Sequence, residues 1–111
     1  MKISTLEGLE NYKTLQAIYD NDTIESGYTS DLLSDVMAHA EEGGVLITIQ
    51  AHKNSVAVAS LVGVVAIIIC NSRPATDDMI ESAKDEGIAI FQTPENQFQT
   101  SHRIAQLLSA E

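Results

Sequence analysis

Apolar residues along this chain change their spacing at regular intervals, and each change marks an element. In "DLLSDVMAHA", residues 31–40, Leu32, Leu33, Val36, Met37 and Ala40 recur at the spacing of one helical stripe, with Thr29 or Ser30 as the expected cap. Gly43-Gly44 ends the stripe, because glycine accepts the left-handed backbone that terminates a helix. "VLITIQ", residues 45–50, is then apolar at nearly every position, which predicts a central strand covered on both faces. The alternation repeats. Asn54 or Ser55 is expected to cap a helix ending near Val62 at Gly63, followed by the strand "AIIIC" at 66–70. Thr76 is expected to cap a helix through Met79, Ile80 and Ala83, stopped by Gly87 and followed by the strand "IAIF" at 88–91. "TPEN" at 93–96 predicts a last helix, with Thr93 as N-cap, Pro94 at the first helical position and Phe98, Ile104, Ala105, Leu107 and Leu108 as its apolar positions.

Before Thr29 the pattern is weaker. "STLE" at 4–7 has the form of a capping box with Ser4 as N-cap, which predicts a short helix to about Leu9 or Tyr12. "KTLQAIY" reads as a strand, "DND" at 20–22 as a turn and "TIESGY" as a second short extended segment. Strands alternating with helices over short connections predict an α/β fold: a three-layer α/β/α sandwich with a mainly parallel central sheet, one domain over residues 1–111. "NSVAVASLV", residues 54–62, is apolar or small nearly all round, whereas an outer helix should show a polar face. A homodimer covering it is the expectation, with Ala57, Ala59 and Ser60 allowing close approach.

Charge narrows the partners. A net charge of -10 with only six Lys and Arg argues against nucleic acid, so an anionic ligand must be held by local donors. The single cysteine, Cys70, cannot form an internal disulfide, and the N-terminal residues lack the apolar run of a signal peptide; both fit a cytoplasmic protein. "VAVASLVGVVAIIIC", residues 56–70, is shorter than the ~20 residues a bilayer needs.

In an open parallel sheet, ligands collect beyond the carboxyl ends of the strands, beside helix N-termini. Four polar segments are expected there: "SGYTS" (26–30), "QAHKN" (50–54), "CNSRP" (70–74) and "QTPE" (92–95). They hold His52, Lys53 and Arg73, which suits a small anionic metabolite or nucleotide. Gly27, Tyr28, Thr29 and Ser30 would supply backbone donors, hydroxyls and a ring face; His52 and Asn54 come from the second loop; Asn71, Ser72 and Arg73 come from the third, with Arg73 neutralising charge; Thr93 comes from the fourth. Ordinary solvent-facing turns and helix caps would have the same polarity.

Sharper chemistry finds less support. Asp31, Asp35 and His39 share a helical face by spacing, yet helix-end charge preferences account for them without a metal. Ser34, Asp35 and His39 sit too close on one helix for a catalytic triad. Cys70 and His52 end neighbouring strands, so a thiol–imidazole pair is the one enzymatic constellation to test. No GxxxxGK[ST], GxGxxG or GxSxG motif occurs, and neither a catalytic residue nor a resident cofactor or metal is assigned.

"SGYTSDLLSDVMAHAEEGGVLITIQAHKNSVAVASL" and "AIIICNSRPATDDMIESAKDEGIAIFQTPENQF" together resemble the DRTGG domain family over roughly residues 24–108, most specifically at "GYTSDLLSDVMAHA". The likeness is to its small free-standing members, associated with anaerobic bacteria and archaea and with iron-only hydrogenase genes. The resemblance implies a fold similar to the N-terminal domain of HPr kinase/phosphorylase. It also implies a regulatory role, as for related domains in phosphotransacetylases and beside CBS domains in pyrophosphatases. Free-standing members labelled serine kinases borrow that label from an enzyme whose phosphate-loop domain this chain lacks. Many members carry a Thr-Gly-Gly-like turn where this chain has Cys70-Asn71-Ser72, which reduces close backbone approach to a ligand. The resulting expectation is a non-catalytic, dimeric regulatory domain sensing a small anionic metabolite or nucleotide. The alternative is a protein-interaction accessory or scaffold linked to iron-only hydrogenase maturation, with no small ligand.

Overall fold

The three apolar runs form the centre of the sheet. In the computed structural model, which describes residues 1–110, they are β3 (Gly44–Thr48), β4 (Ala66–Ile69) and β5 (Ala89–Gln92), and β3 and β4 are buried at every position. β2 (Ser26–Thr29) adds to β3 in parallel, and β1 (Lys13–Gln16) adds to β5 antiparallel, giving the order β1-β5-β4-β3-β2. The sheet is therefore mostly parallel.

The helices are α1 (Leu33–His39), α2 (Lys53–Val62), α3 (Asp77–Glu86) and α4 (Gln97–Ser109). Strands β2 to β5 advance one step at a time in one direction. Right-handed crossovers then place α1, α2 and α3 on a single face. Val36, Val56, Ala59, Met79 and Ala83 pack there on Leu46, Ile67, Ile69 and Ile90. The other face is covered by α4 through Ile104 and by the N-terminal segment through Met1, Ile3 and Leu6, over Val45, Ile47, Ile68 and Phe91. Two cores back to back make the α/β sandwich, and no helix among the described residues is long and apolar enough to cross a membrane.

This layout explains the all-round apolarity of α2. It lies between α1 and α3, so its flanks as well as its base are covered, and beyond Lys53 and Asn54 in its first turn only Ala57, Ser60 and Leu61 are left outward.

Several helix starts differ from expectation for a common reason: strands and turns run further than the hydroxyl positions imply. The N-terminal segment is a 3₁₀ helix, Ile3–Gly8, with no side-chain cap; Ser4 instead exchanges hydrogen bonds with Asn21 at 2.9 Å. Thr29 ends β2 and Ser30 closes a turn, its hydroxyl accepting the Leu32 N–H at 3.2 Å, so α1 begins only at Leu33. Asp31 therefore lies outside the helix. Leu32 and Met37 are exposed, leaving Val36 as the buried anchor of the stripe. The N-cap of α2 is His52, and Ser55 is buried with its hydroxyl donated to the Gln50 carbonyl at 2.6 Å. The α4 cap is Asn96, in a reciprocal capping box with Gln99, and Phe98 stands 83% exposed. The stops at Gly63 and Gly87 and the Thr76 cap are as the sequence predicts.

Candidate functional site

Parallel pairing brings the carboxyl ends of β2 to β5 to one rim. Thr29 lies opposite Ile47, Thr48 opposite Ile69, and Ile69 opposite Gln92, so the four loops that follow emerge side by side.

The rim is fastened by Asp31, which reads from the sequence only as a charge at a helix start. Asp31 Oδ1 accepts from the Thr48 hydroxyl, the Ile49 N–H and the Gln97 side-chain amide, each at 2.9 Å. One carboxylate oxygen thus ties the exits of β2 and β3 to the start of α4. Because Asp31 is held there, it does not converge with Asp35 and His39. Those two form a separate group: Tyr28 Oη donates to Asp35 Oδ2 at 2.8 Å, His39 Nδ1 lies 3.0 Å from Asp35 Oδ1, and the Tyr28 and His39 rings stack at 6.4 Å. The Tyr28 hydrogen bond, followed by those of Ser30 and His39, holds the Asp35 carboxyl below the usual range. The same contact raises the Tyr28 phenol. No set of three or more His, Cys, Asp or Glu among the described residues is placed to hold a metal.

Cys70 and His52 do not form a pair. Cys70 is fully buried in the α4-side core, its thiol directed at Thr100 Oγ1 at 3.4 Å and pushed upward by burial. His52 is exposed at the start of α2 on the opposite face, its Nδ1 accepting the Asn54 N–H at 3.1 Å. The imidazole is a helix cap.

At the exits of β4 and β5 the chain leaves the sheet toward opposite faces, to α3 and to α4. A crevice is expected at such a divergence. Here it is closed by backbone: the Asn71 N–H donates to the Glu95 carbonyl and the Ser72 N–H to the Thr93 carbonyl, both at 2.9 Å. Gln92 Nε2 adds a bond to the Arg73 carbonyl at 2.8 Å. Asn71 and Ser72 both adopt left-handed backbone, φ 58° and 52°, and the Arg73 N–H returns to the Cys70 carbonyl. That is a type I′ turn made without glycine.

The ten expected ligand residues therefore divide. His52, Asn54 and Arg73 are exposed on the α1–α3 side of the rim, beside Asn71 and Ser72. Lys53 lies with them, and with His52 it helps hold the Asp78 carboxyl down, the largest cause being the Thr76 hydroxyl. Ser30 and Tyr28 face that side but are committed to the turn and to Asp35. Gly27 and Thr29 look the other way, because side chains alternate along a strand: Thr29 Oγ1 meets Ser101 Oγ at 2.7 Å under α4. Thr93 is a correction, since it is fully buried with its hydroxyl accepting the Glu95 N–H at 3.2 Å, out of reach of a ligand.

A second polar network lies on the α4 side. Tyr12 Oη donates to Glu95 Oε1 at 3.0 Å and Arg103 forks onto the same carboxylate. Arg103, with help from Tyr12 and Thr100, holds the Glu95 carboxyl below its ordinary value against the opposing effect of burial. Nothing in the local sequence marks this trio, because its members come from three separate segments.

No known family's sequence profile matches this chain, and no curated protein matches it. Among solved structures it is similar to the CBS and DRTGG domains of the regulatory region of Clostridium perfringens pyrophosphatase, a structure complexed with the activator diadenosine tetraphosphate. The TM-score is 0.66 at 16% identity, over 86% of this chain and 42% of that one. The fold is DRTGG-like. At this identity the likeness concerns the fold, and the chain spans less than half the length of that regulatory region.

Proposed function

We propose that this chain is a regulatory domain of the DRTGG family, without chemistry of its own, that senses a small anionic metabolite or nucleotide. The binding surface is the α1–α3 side of the rim, formed by His52, Asn54, Asn71, Ser72 and Arg73. The observation that carries this reading is the gathering of His52, Lys53 and Arg73 at one edge of a chain whose net charge is -10. The two left-handed residues between them support it, because strained backbone outside glycine concentrates at functional positions. That the similar regulatory region takes a nucleotide activator supports the choice of ligand class. The reading includes one domain across the chain and a homodimer through the outward side of α2, where Leu61 is 71% exposed.

The test is a thermal-shift titration with diadenosine tetraphosphate, ATP, AMP and inorganic phosphate. A ligand at 100 times its Kd should stabilise the fold by about 2.7 kcal/mol. Arg73→Ala and His52→Ala should each weaken the shift. No response across the panel would leave the second reading, a protein-interaction scaffold. The exposed Leu32 and Phe98, which neighbour the Asp31–Gln97 contact in sequence, favour that alternative.

A further inference from the structure

The feature that neither the rim nor the two cores absorb is the free edge of β2. β2 pairs on one side only. The Ser30 N–H is directed at the Ile47 carbonyl at 3.2 Å, and in a parallel ladder alternate residues face the partner. The amides and carbonyls of Gly27 and Thr29 therefore point outward, and both residues are exposed. The opposite edge, β1, opens on Lys13 and is broken by an irregularity between Thr14 and Gln16. Ser26-Gly27-Tyr28-Thr29 has no bulge, charge or proline, so it lacks the usual protections against an added strand.

Two hollows lie along this edge. Between β2 and α4 is a cleft of about 120 Å³ lined by Gly27, Thr29, Ile47, Ile104, Ala105 and Leu108, among others. That is close to the ~150 Å³ that accepts a benzene ring, and it suits one aliphatic side chain. At the foot of the strand is a hollow of about 320 Å³ bounded by Asp22, Glu25 and Glu42. Among the described residues, none of these carboxylates pairs with a lysine, arginine or histidine. Glu25 stands two residues before Gly27, a distance of about 7 Å along a strand.

We propose that the β2 edge docks an extended peptide segment of a partner protein as an added antiparallel strand. One aliphatic side chain of the segment fills the cleft, and a lysine or arginine two to three residues toward its C-terminus enters the acidic hollow. The antiparallel sense sets that polarity, since the segment then descends from Ser30 toward Glu25. A second copy of this chain is the poorer occupant. The register that pairs Gly27 of one copy with Thr29 of the other brings Glu25 opposite Asp31, like charge against like.

The test is selection of random twelve-residue peptides, displayed on phage, against the full chain. Enriched peptides should share an aliphatic residue followed by a basic one, and synthetic versions should slow hydrogen exchange at the Gly27 and Thr29 amides while leaving Tyr28 unchanged. Gly27→Val, whose Cβ meets only ordinary contacts at 3.6 and 3.8 Å from Val45 and Ile104, fills the cleft and should weaken binding at least tenfold. Glu25→Lys, on the exposed surface, should do the same if Gly27→Val fails to fold. Lack of enrichment would overturn the proposal. So would equal binding to the variants, or concentration-dependent protection of Gly27 and Thr29 without peptide, which would mark a second copy on the edge.

Discussion

Asp31→Ala removes the single acceptor that holds three donors, two from the β3 exit and one from the start of α4. Its loss leaves the Ile49 N–H and the buried Thr48 hydroxyl without that partner, and frees Gln97 from the rim. A hydrogen bond to a charged group contributes about 1.5–3 kcal/mol. Asp31 is only half-buried and water reaches part of the site, and Gln97 can turn to solvent; the expected total is therefore about 2–3 kcal/mol rather than three full bonds. Asp31→Asn keeps an oxygen in the same place and loses only the charge, at about 1 kcal/mol. Urea unfolding should show a lower midpoint at unchanged slope, and the Ala variant should melt at least about 8 °C lower. Thr48→Val combined with Asp31→Ala should cost less than the sum of the two, since they share a bond. A loss below about 0.5 kcal/mol for Asp31→Ala would refute the reasoning and mean that the rim is held by strand pairing alone.

Acid should weaken the Tyr12–Glu95–Arg103 network. The folded Glu95 carboxyl lies below its unfolded value, so its contribution is complete at neutral pH and is lost as pH falls from the ordinary glutamate range through the lowered folded value. Chemical denaturation should show wild type more stable than Glu95→Gln at pH 7 and the two converging as pH falls below the ordinary glutamate range; parallel profiles would contradict the assignment. Gly63→Ala should destabilise more than Gly87→Ala: both have positive φ, 83° and 68°, but an added Cβ at Gly63 would stand 2.8 Å from Glu42 Cγ while Gly87 opens to space. Equal melting temperatures for the two would show that Glu42 moves aside freely. Ser72→Gly should stabilise the fold by about 0.5 kcal/mol, the relief of left-handed strain slightly exceeding the added unfolded-state freedom.

The periodic parts of the chain were legible because their burial is complete. β3, β4 and β5 lie where unbroken apolar runs place them, and Gly63 and Gly87 end helices because only glycine takes that backbone without strain. Helix starts were less legible, since Thr29, Ser55 and Thr93 carry hydroxyls that suit a cap and equally suit a strand end or a buried turn. Only tertiary context decides between these. The apolar circumference of α2 has a source within one chain, since α1 and α3 supply most of its cover, and only its outward side with Leu61 is left for a second subunit. The Asp31 clasp and the Glu95 trio were invisible because they join residues 8 to 83 positions apart, with no local pattern to announce them.

The direction of the helices fixes where a rim ligand can approach. Three crossovers on one face leave α4 and the N-terminal segment to close the other, and α4 starts against the β2 and β3 exits through Gln97 and Ser101. The divergence between β4 and β5, where an open α/β sheet usually receives its ligand, is stitched shut by Asn71, Ser72 and Gln92. Access is left between the β3 and β4 exits, over the start of α2. The side chains there are His52, Lys53, Asn54 and Arg73, and all are exposed. A ligand at this place meets the Lys53 and Arg73 cations but no deep walls, so its affinity must come from charge and helix N–H groups, and it should weaken steeply with salt. An enclosed nucleotide pocket would show little salt dependence, and that contrast separates a shallow sensor from a buried one.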